Sequence, residues 1–200
     1  MTETSQQTFS YAALRARAIE SLLIEKGYLT EEAVDYVVSA YEKDIGPLRG
    51  ARLVARAWAD PAFRARLLAN ASEAARELGI EGFVGENVMA VENTDDVHNV
   101  VACTLCSCYP WAILGLPPSW YKSPAYRARI VREPRAVLSE FGLELGDGVE
   151  VRVWDSSSDM RYFVLPKRPA SSEGLGEEEL AGLVTRDSMI GTGLPSDPAS

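Results

Sequence analysis

All three cysteines of the chain lie in one short segment, Cys103-Thr104-Leu105-Cys106-Ser107-Cys108. Cys-x2-Cys-x-Cys brings three soft sulfur donors together, and thiolates select soft or borderline metals. The spacing adds a second property. If Cys106 and Cys108 bind one ion through sulfur, the backbone amides of Ser107 and Cys108 are carried to within bonding distance. Ligation through S, N, N and S closes fused five- and six-membered chelate rings, so Cys106-Ser107-Cys108 can lie as a planar strip, with Cys103 capping one axial position. The remaining octahedral position stays open for water or substrate. Displacing amide protons calls for an acidic ion, Co(III) or Fe(III) rather than zinc, and such an ion polarises a substrate or activates a water as a Lewis acid.

Other readings use the same residues. A structural zinc site would take the three cysteines with His98, the single histidine, as fourth ligand, although that order is not one of the usual finger spacings. A redox thiol pair and plainly buried cysteines are further alternatives. On an alternating strand a histidine is more often a hydrogen-bonded structural residue than a ligand. A disulfide framework would spread its cysteines and favour an even number.

Composition narrows the class. Two hundred residues, 46% of them hydrophobic, can bury a core. A formal charge of -9 opposes a phosphate-backbone footprint, so nucleic acid is set aside. No stretch approaches the roughly 20 apolar residues that span a bilayer, and the first residues lack a basic start followed by an apolar run. A cytoplasmic protein with no membrane partner is expected, and a reducing cytosol makes clustered cysteines ligands or reactive groups.

The elements that must position the cluster follow from periodicity. From Tyr11 to about Gly79 the pattern is helical. Thr30 before Glu31 and Glu32 reads as an N-cap, Gly46-Pro47 as a stop, Asp60-Pro61 as a new start, and Gly79 as a C-terminal glycine. Val88 to Val91 and Val97 to Val101 read as strands around the turn Asn93 to Asp96. The cysteines follow the second strand at once, and Pro110, Gly115, Pro117 and Pro118 make the next stretch irregular. Short helices are expected near 125–131 and 134–141, strands near 149–154 and 162–165, a last helix over 177–184 and a loose tail from Gly191. The expected organisation is an N-terminal helical arm over 1–80, a catalytic domain over 81–191 and a flexible tail over 192–200.

The segment Val100-Val101-Ala102-Cys103-Thr104-Leu105-Cys106-Ser107-Cys108-Tyr109-Pro110-Trp111 resembles the metal-binding signature of nitrile hydratase α subunits. The likeness extends upstream through Val91-Glu92-Asn93-Thr94 and Val97-His98-Asn99. Downstream it takes in Leu114 to Lys122, Glu133 to Leu138, Val151 to Ser156, Arg161-Tyr162 and Val184 to Gly191. The resemblance implies an α+β fold, a helical arm followed by a layered α-β-β-α domain carrying the metal loop. It also implies a noncorrin Co(III) enzyme, less readily an Fe(III) one, that hydrates a nitrile to an amide. Cys103 would be the axial thiolate, Cys106 a sulfinic acid and Cys108 a sulfenic acid, with Ser107 and Cys108 giving amide nitrogens. The sulfenate oxygen would be a base or nucleophile beside the nitrile.

Thr104 and Tyr109 are the choices typical of cobalt-type members; serine and threonine there would suggest iron. Asp155 and Arg161 match family positions near the site. The implied partners are a β subunit, in an α/β heterodimer or heterotetramer, whose arginines hold the sulfur oxygens, and a metallation activator protein. The cobalt-dependent thiocyanate hydrolase shares the same claw and is the alternative enzyme. Three positions depart from the family pattern: Val84 where glutamine is common, Ala102 where valine is usual, and Ala112 where proline is frequent. None removes a ligand, so they bear on substrate range.

Overall fold

The computed structural model describes residues 11–43, 47–81, 87–106 and 108–198. By internal packing the chain divides into Met1–Ala40 and Tyr41–Ser200. The first unit contains α1 (Tyr11–Glu25), and α2 (Glu31–Lys43) begins in it. Thr30 caps α2 as the sequence suggests, its Oγ1 accepting the Ala33 N–H at 3.2 Å, with Glu31 and Glu32 favourably placed at the positive helix end. Tyr11, Leu14, Ile19, Tyr28 and Tyr36 are exposed.

In the second unit come α3 (Pro47–Ala59), α4 (Pro61–Ala69) and α5 (Ala71–Glu77). Asp60 caps α4 by accepting the N–H groups of Ala62 at 2.9 Å and Phe63 at 3.1 Å, with Pro61 at the first helical position. Asn70 ends α4 and caps α5 through the Glu73 N–H at 3.1 Å. These helices bury Leu53, Val54, Phe63, Leu67 and Ala75 in the main core. A Leu or Phe buried in this way contributes roughly 1.5–3 kcal/mol. From α3 onward the apolar helix faces are thus used by the main core.

Strands β1 (Asn87–Glu92) and β4 (Met160–Leu165) pair in parallel, as do β2 (Val97–Ala102) and β3 (Glu150–Asp155). Val91, Val101 and Val164, with Trp154 and Tyr162 against them, form a small second core among the strands. The larger core joins the strands to the helices: α4 and α5 touch β1, while α10 (Arg186–Ile190) touches β4 and β2. This is the expected α+β class.

Parallel pairing forbids a tight turn and requires a long crossover. The β2-to-β3 crossover holds the cysteine loop, α6 (Trp111–Leu114), a 3-10 turn Ser119–Lys122, α7 (Pro124–Arg129) and α8 (Pro134–Glu140). Register pairs Ala102 with Asp155, so the cysteines emerge beside the end of β3.

The chain closes with α9 (Glu177–Leu183) and α10, a helix the sequence reading did not anticipate. Past α10, Thr192 is buried and its N–H donates to Asp187 C=O at 3.0 Å. The Ser196 N–H likewise donates to Leu183 C=O at 2.8 Å. Gly191, at φ 92°, ends α10 so close to the Asn99 and Val100 backbone that a side chain there would collide with it.

Candidate metal centre

The loop begins where β2 stops. Cys103 is fully buried, Cys106 exposed and Cys108 intermediate, and none of the three forms a disulfide. The chain turns back sharply enough that the Cys106 N–H donates to Cys103 Sγ at 3.3 Å. The sulfurs of Cys103 and Cys106 are 3.6 Å apart, those of Cys106 and Cys108 2.8 Å apart, and all three lie within 4.8 Å of one another. Ser107, expected to supply an amide nitrogen, lies outside the described residues, as does Val84.

The electrostatics of the three thiols differ. Burial opposes charge on Cys103, but the N–H groups of Cys106, Cys108 and Leu105 and the Cys106 thiol turn toward its sulfur and hold its pKa below the ordinary thiol value. Cys108 moves the other way: burial first, then its hydrogen bond with Cys106 and the charge of Cys103, push its thiol up to about 12. Three sulfurs this close cannot all ionise without a cation to neutralise them. Soft, clustered and mutually crowded, this donor set fits a soft or borderline metal ion.

Several side chains hold the loop in this shape. The Asp155 carboxylate accepts both the backbone N–H of Thr104, at 2.8 Å, and its hydroxyl, at 2.6 Å. The Ser156 N–H extends the β2–β3 ladder to Ala102 C=O at 2.7 Å. Tyr126 OH donates to Val101 C=O at 2.8 Å and Tyr121 OH to Cys108 C=O at 3.0 Å, one phenol on each side of the cluster. Arg127 reaches Leu105 C=O at 3.3 Å. Tyr121, Tyr126 and Arg127 escaped the sequence reading because the crossover that returns them to the loop has no signature in residue spacing.

Arg161 stands at the second position of β4, where its guanidinium donates to Ser158 C=O at 3.1 Å, within the turn that follows Asp155. Ala102 and Ala112 are both buried in the main core. Beside the loop an open groove is lined by Thr104, Pro124, Arg127, Val131, Arg132 and Asp155, and Leu105 is 85% exposed.

The zinc alternative fails at His98. Its ring is buried, with Nε2 bonded to Gly191 C=O at 2.7 Å and Nδ1 to the Asn93 side chain at 3.2 Å. Both nitrogens are thus used in structure. Burial also lowers the pKa of this imidazole, and the bond to Gly191 only partly opposes that.

Fold and site together define an α+β protein whose cysteine loop, a donor set fit for a metal ion, rides on a parallel-strand crossover. The family model for the nitrile hydratase alpha chain matches residues 10–193. The low-molecular weight cobalt-containing nitrile hydratase subunit alpha of Rhodococcus rhodochrous is 56% identical over 94% of this chain and 90% of its own length. The cobalt-containing subunit alpha of Pseudonocardia thermophila is 59% identical over 88% of this chain and 87% of its own. Thiocyanate hydrolase subunit gamma of Thiobacillus thioparus is 42% identical over 89% of this chain and 77% of its own. Among solved structures, a double mutant of the Fe-type nitrile hydratase of Comamonas testosteroni Ni1 superposes with a TM-score of 0.84 at 41% identity, covering 95% of this chain and 94% of that one. This chain belongs to the nitrile hydratase α-chain family. Among the described residues no helix is long and apolar enough to cross a membrane.

Proposed function

We propose that the chain is the metal-holding α subunit of a cytoplasmic nitrile hydratase, with Cys103, Cys106, Ser107 and Cys108 as ligands of Co(III). The observation that carries this reading is the three-sulfur cluster at the end of β2, in a chain of this family. Cobalt rather than iron is supported by the cobalt-containing relatives at 56% and 59% identity and by Thr104 and Tyr109. When bound, the ion supplies Lewis acidity toward a nitrile or a water molecule.

The chain's own residues divide the remaining work. Cys103, buried and with its thiolate favoured, would be the ligand supplied from the core. Cys106 and Cys108 are open to solvent in that order, and oxidation follows exposure, which supports sulfinic acid at Cys106 and sulfenic acid at Cys108. The sulfenate oxygen would take a proton from water or attack the nitrile carbon. Asp155 fixes the loop by holding Thr104 at two atoms, and Arg161 steadies the turn after Asp155 through Ser158.

Partners follow from the loop's exposure. Leu105 and the groove beside it form a surface that a β subunit would cover, in an α/β heterodimer or heterotetramer, and an activator protein would load the metal beforehand. The test is co-expression with the β partner and activator, followed by assays on small nitriles and on thiocyanate. Amide formation from nitriles is expected. Absence of cobalt and iron together with no amide overturns the reading, and turnover of thiocyanate alone moves the chain to the thiocyanate hydrolase branch.

A further inference from the structure

Two buried phenols bracket the cysteine loop. Tyr126 ties down Val101 C=O, at the end of β2, and Tyr121 ties down Cys108 C=O, the last carbonyl of the cluster. Tyr121 is wholly buried, packs edge-on against Tyr109 with ring centroids 5.0 Å apart, and touches Trp120 and Tyr126. The Ser156 hydroxyl, buried in the β3–β4 turn, lies near enough to act on this phenol. A rigid ring in a fixed aromatic layer therefore grips the peptide that leaves Cys108, whereas the other supports of the loop, Asp155 and Arg127, hold its middle.

We propose that Tyr121 is a positioning residue for the metal centre, fixing the Cys108–Tyr109 peptide plane and with it the direction of the Cys108 sulfur and amide. The inference rests on the metal-centre reading above. A carbonyl clamped by a buried donor cannot rotate freely, so the Cβ direction of the same residue is fixed as well. Small displacements of a reacting group lower turnover steeply: a shift on the order of 1 Å costs about a hundredfold.

Tyr121→Phe keeps the ring and deletes the clamp. In the purified α/β complex with its metal, turnover at saturating nitrile should fall by about tenfold or more. KM should stay near the wild-type value, and the thiolate-to-metal absorption band should shift. Trp58→Phe is the matched control, since it removes an indole donor to Pro166 C=O at 2.8 Å elsewhere in the molecule. It should lower the melting temperature while leaving turnover and absorption unchanged.

If Tyr121→Phe does not assemble, Ser156→Ala removes the buried hydroxyl that acts on the phenol and should move turnover and the band in the same direction by a smaller amount. A Tyr121→Phe complex with wild-type turnover, metal content and absorption overturns the inference, whether or not its melting point drops; so does wild-type behaviour of Ser156→Ala where that variant has to stand in. A wild-type complex lacking cobalt and iron would instead overturn the metal-centre reading, so the two failures are separable.

Discussion

The two ends of β2 are built on opposite terms. At its start, His98 and Asn99 sit in a closed polar network: Asn93 bonds His98 and accepts the Asn99 N–H at 2.7 Å, and Trp154 donates to Asn99 at 2.8 Å. At its end, three sulfurs crowd within 4.8 Å, one thiol favoured as thiolate and another pushed up to about 12. The first set is satisfied by partners inside the chain, as buried polar groups require. The second is a crowded set of soft donors, which suits a cation. A histidine five residues from a cysteine cluster thus serves the fold, and the chemistry falls to residues that the fold alone leaves unbalanced.

Single substitutions at each end of β2 separate the two roles. Cys103→Ser should abolish bound metal and nitrile hydration, because it replaces the buried soft donor by a hard hydroxyl. Elemental analysis and an amide assay on the co-expressed complex check this, and retained metal with turnover would contradict it. Asp155→Ala, which releases Thr104 at two atoms, should cost about 10- to 100-fold in metal affinity or activity, the usual range for a residue that orients a ligand loop. A metal-competition titration gives the number.

At the other end the effect should be on stability. His98→Leu leaves the Gly191 carbonyl and the Asn93 amide without their buried partner, at about 1–3 kcal/mol each. The folded variant should nonetheless keep its metal, measured per folded chain beside a denaturant titration. Loss of metal in proportion would mean that the network belongs to the site.

His98 also predicts a pH dependence. In the unfolded chain the imidazole takes a proton near its ordinary value of 6.5, while in the fold burial holds its pKa lower. Below about 6.5 the unfolded state binds more protons, so this contribution is complete above that pH and is lost as pH falls through the lowered folded value. A stability profile of wild type against His98→Leu should show the variant's slope flattened in that window. The smallest effect belongs to the surface: Arg152→Ala breaks an exposed pair with Glu150 and should leave the melting temperature near the wild-type value.

Much of this was readable in the chain itself. The caps at Thr30 and Asp60, the four strands to within two residues, and the cysteine loop after β2 are local signals, and local signals survive folding. The division at Ala40 was not readable, because arm and core helices share one composition and differ only in what they pack against. Helix α10 hid behind a short capping box with Ser188 in place of the usual acid. The tail's ties to Asp187 and Leu183 are hydrogen bonds of the backbone, which no residue type announces. At the site, Asp155 came from a motif, whereas Tyr121, Tyr126 and Arg127 depend on how the long crossover folds back on β2.

If the Cys103–Cys108 loop is a metal claw, its three sulfurs end in chemically distinct states. Elemental analysis of the purified α/β complex, paired with a mass measurement of the peptide that spans the loop, tests it most directly. About one cobalt per chain is expected, with oxygen added unevenly, two atoms on Cys106 and one on Cys108. Zinc, or no metal at all, with three unmodified thiols would contradict it.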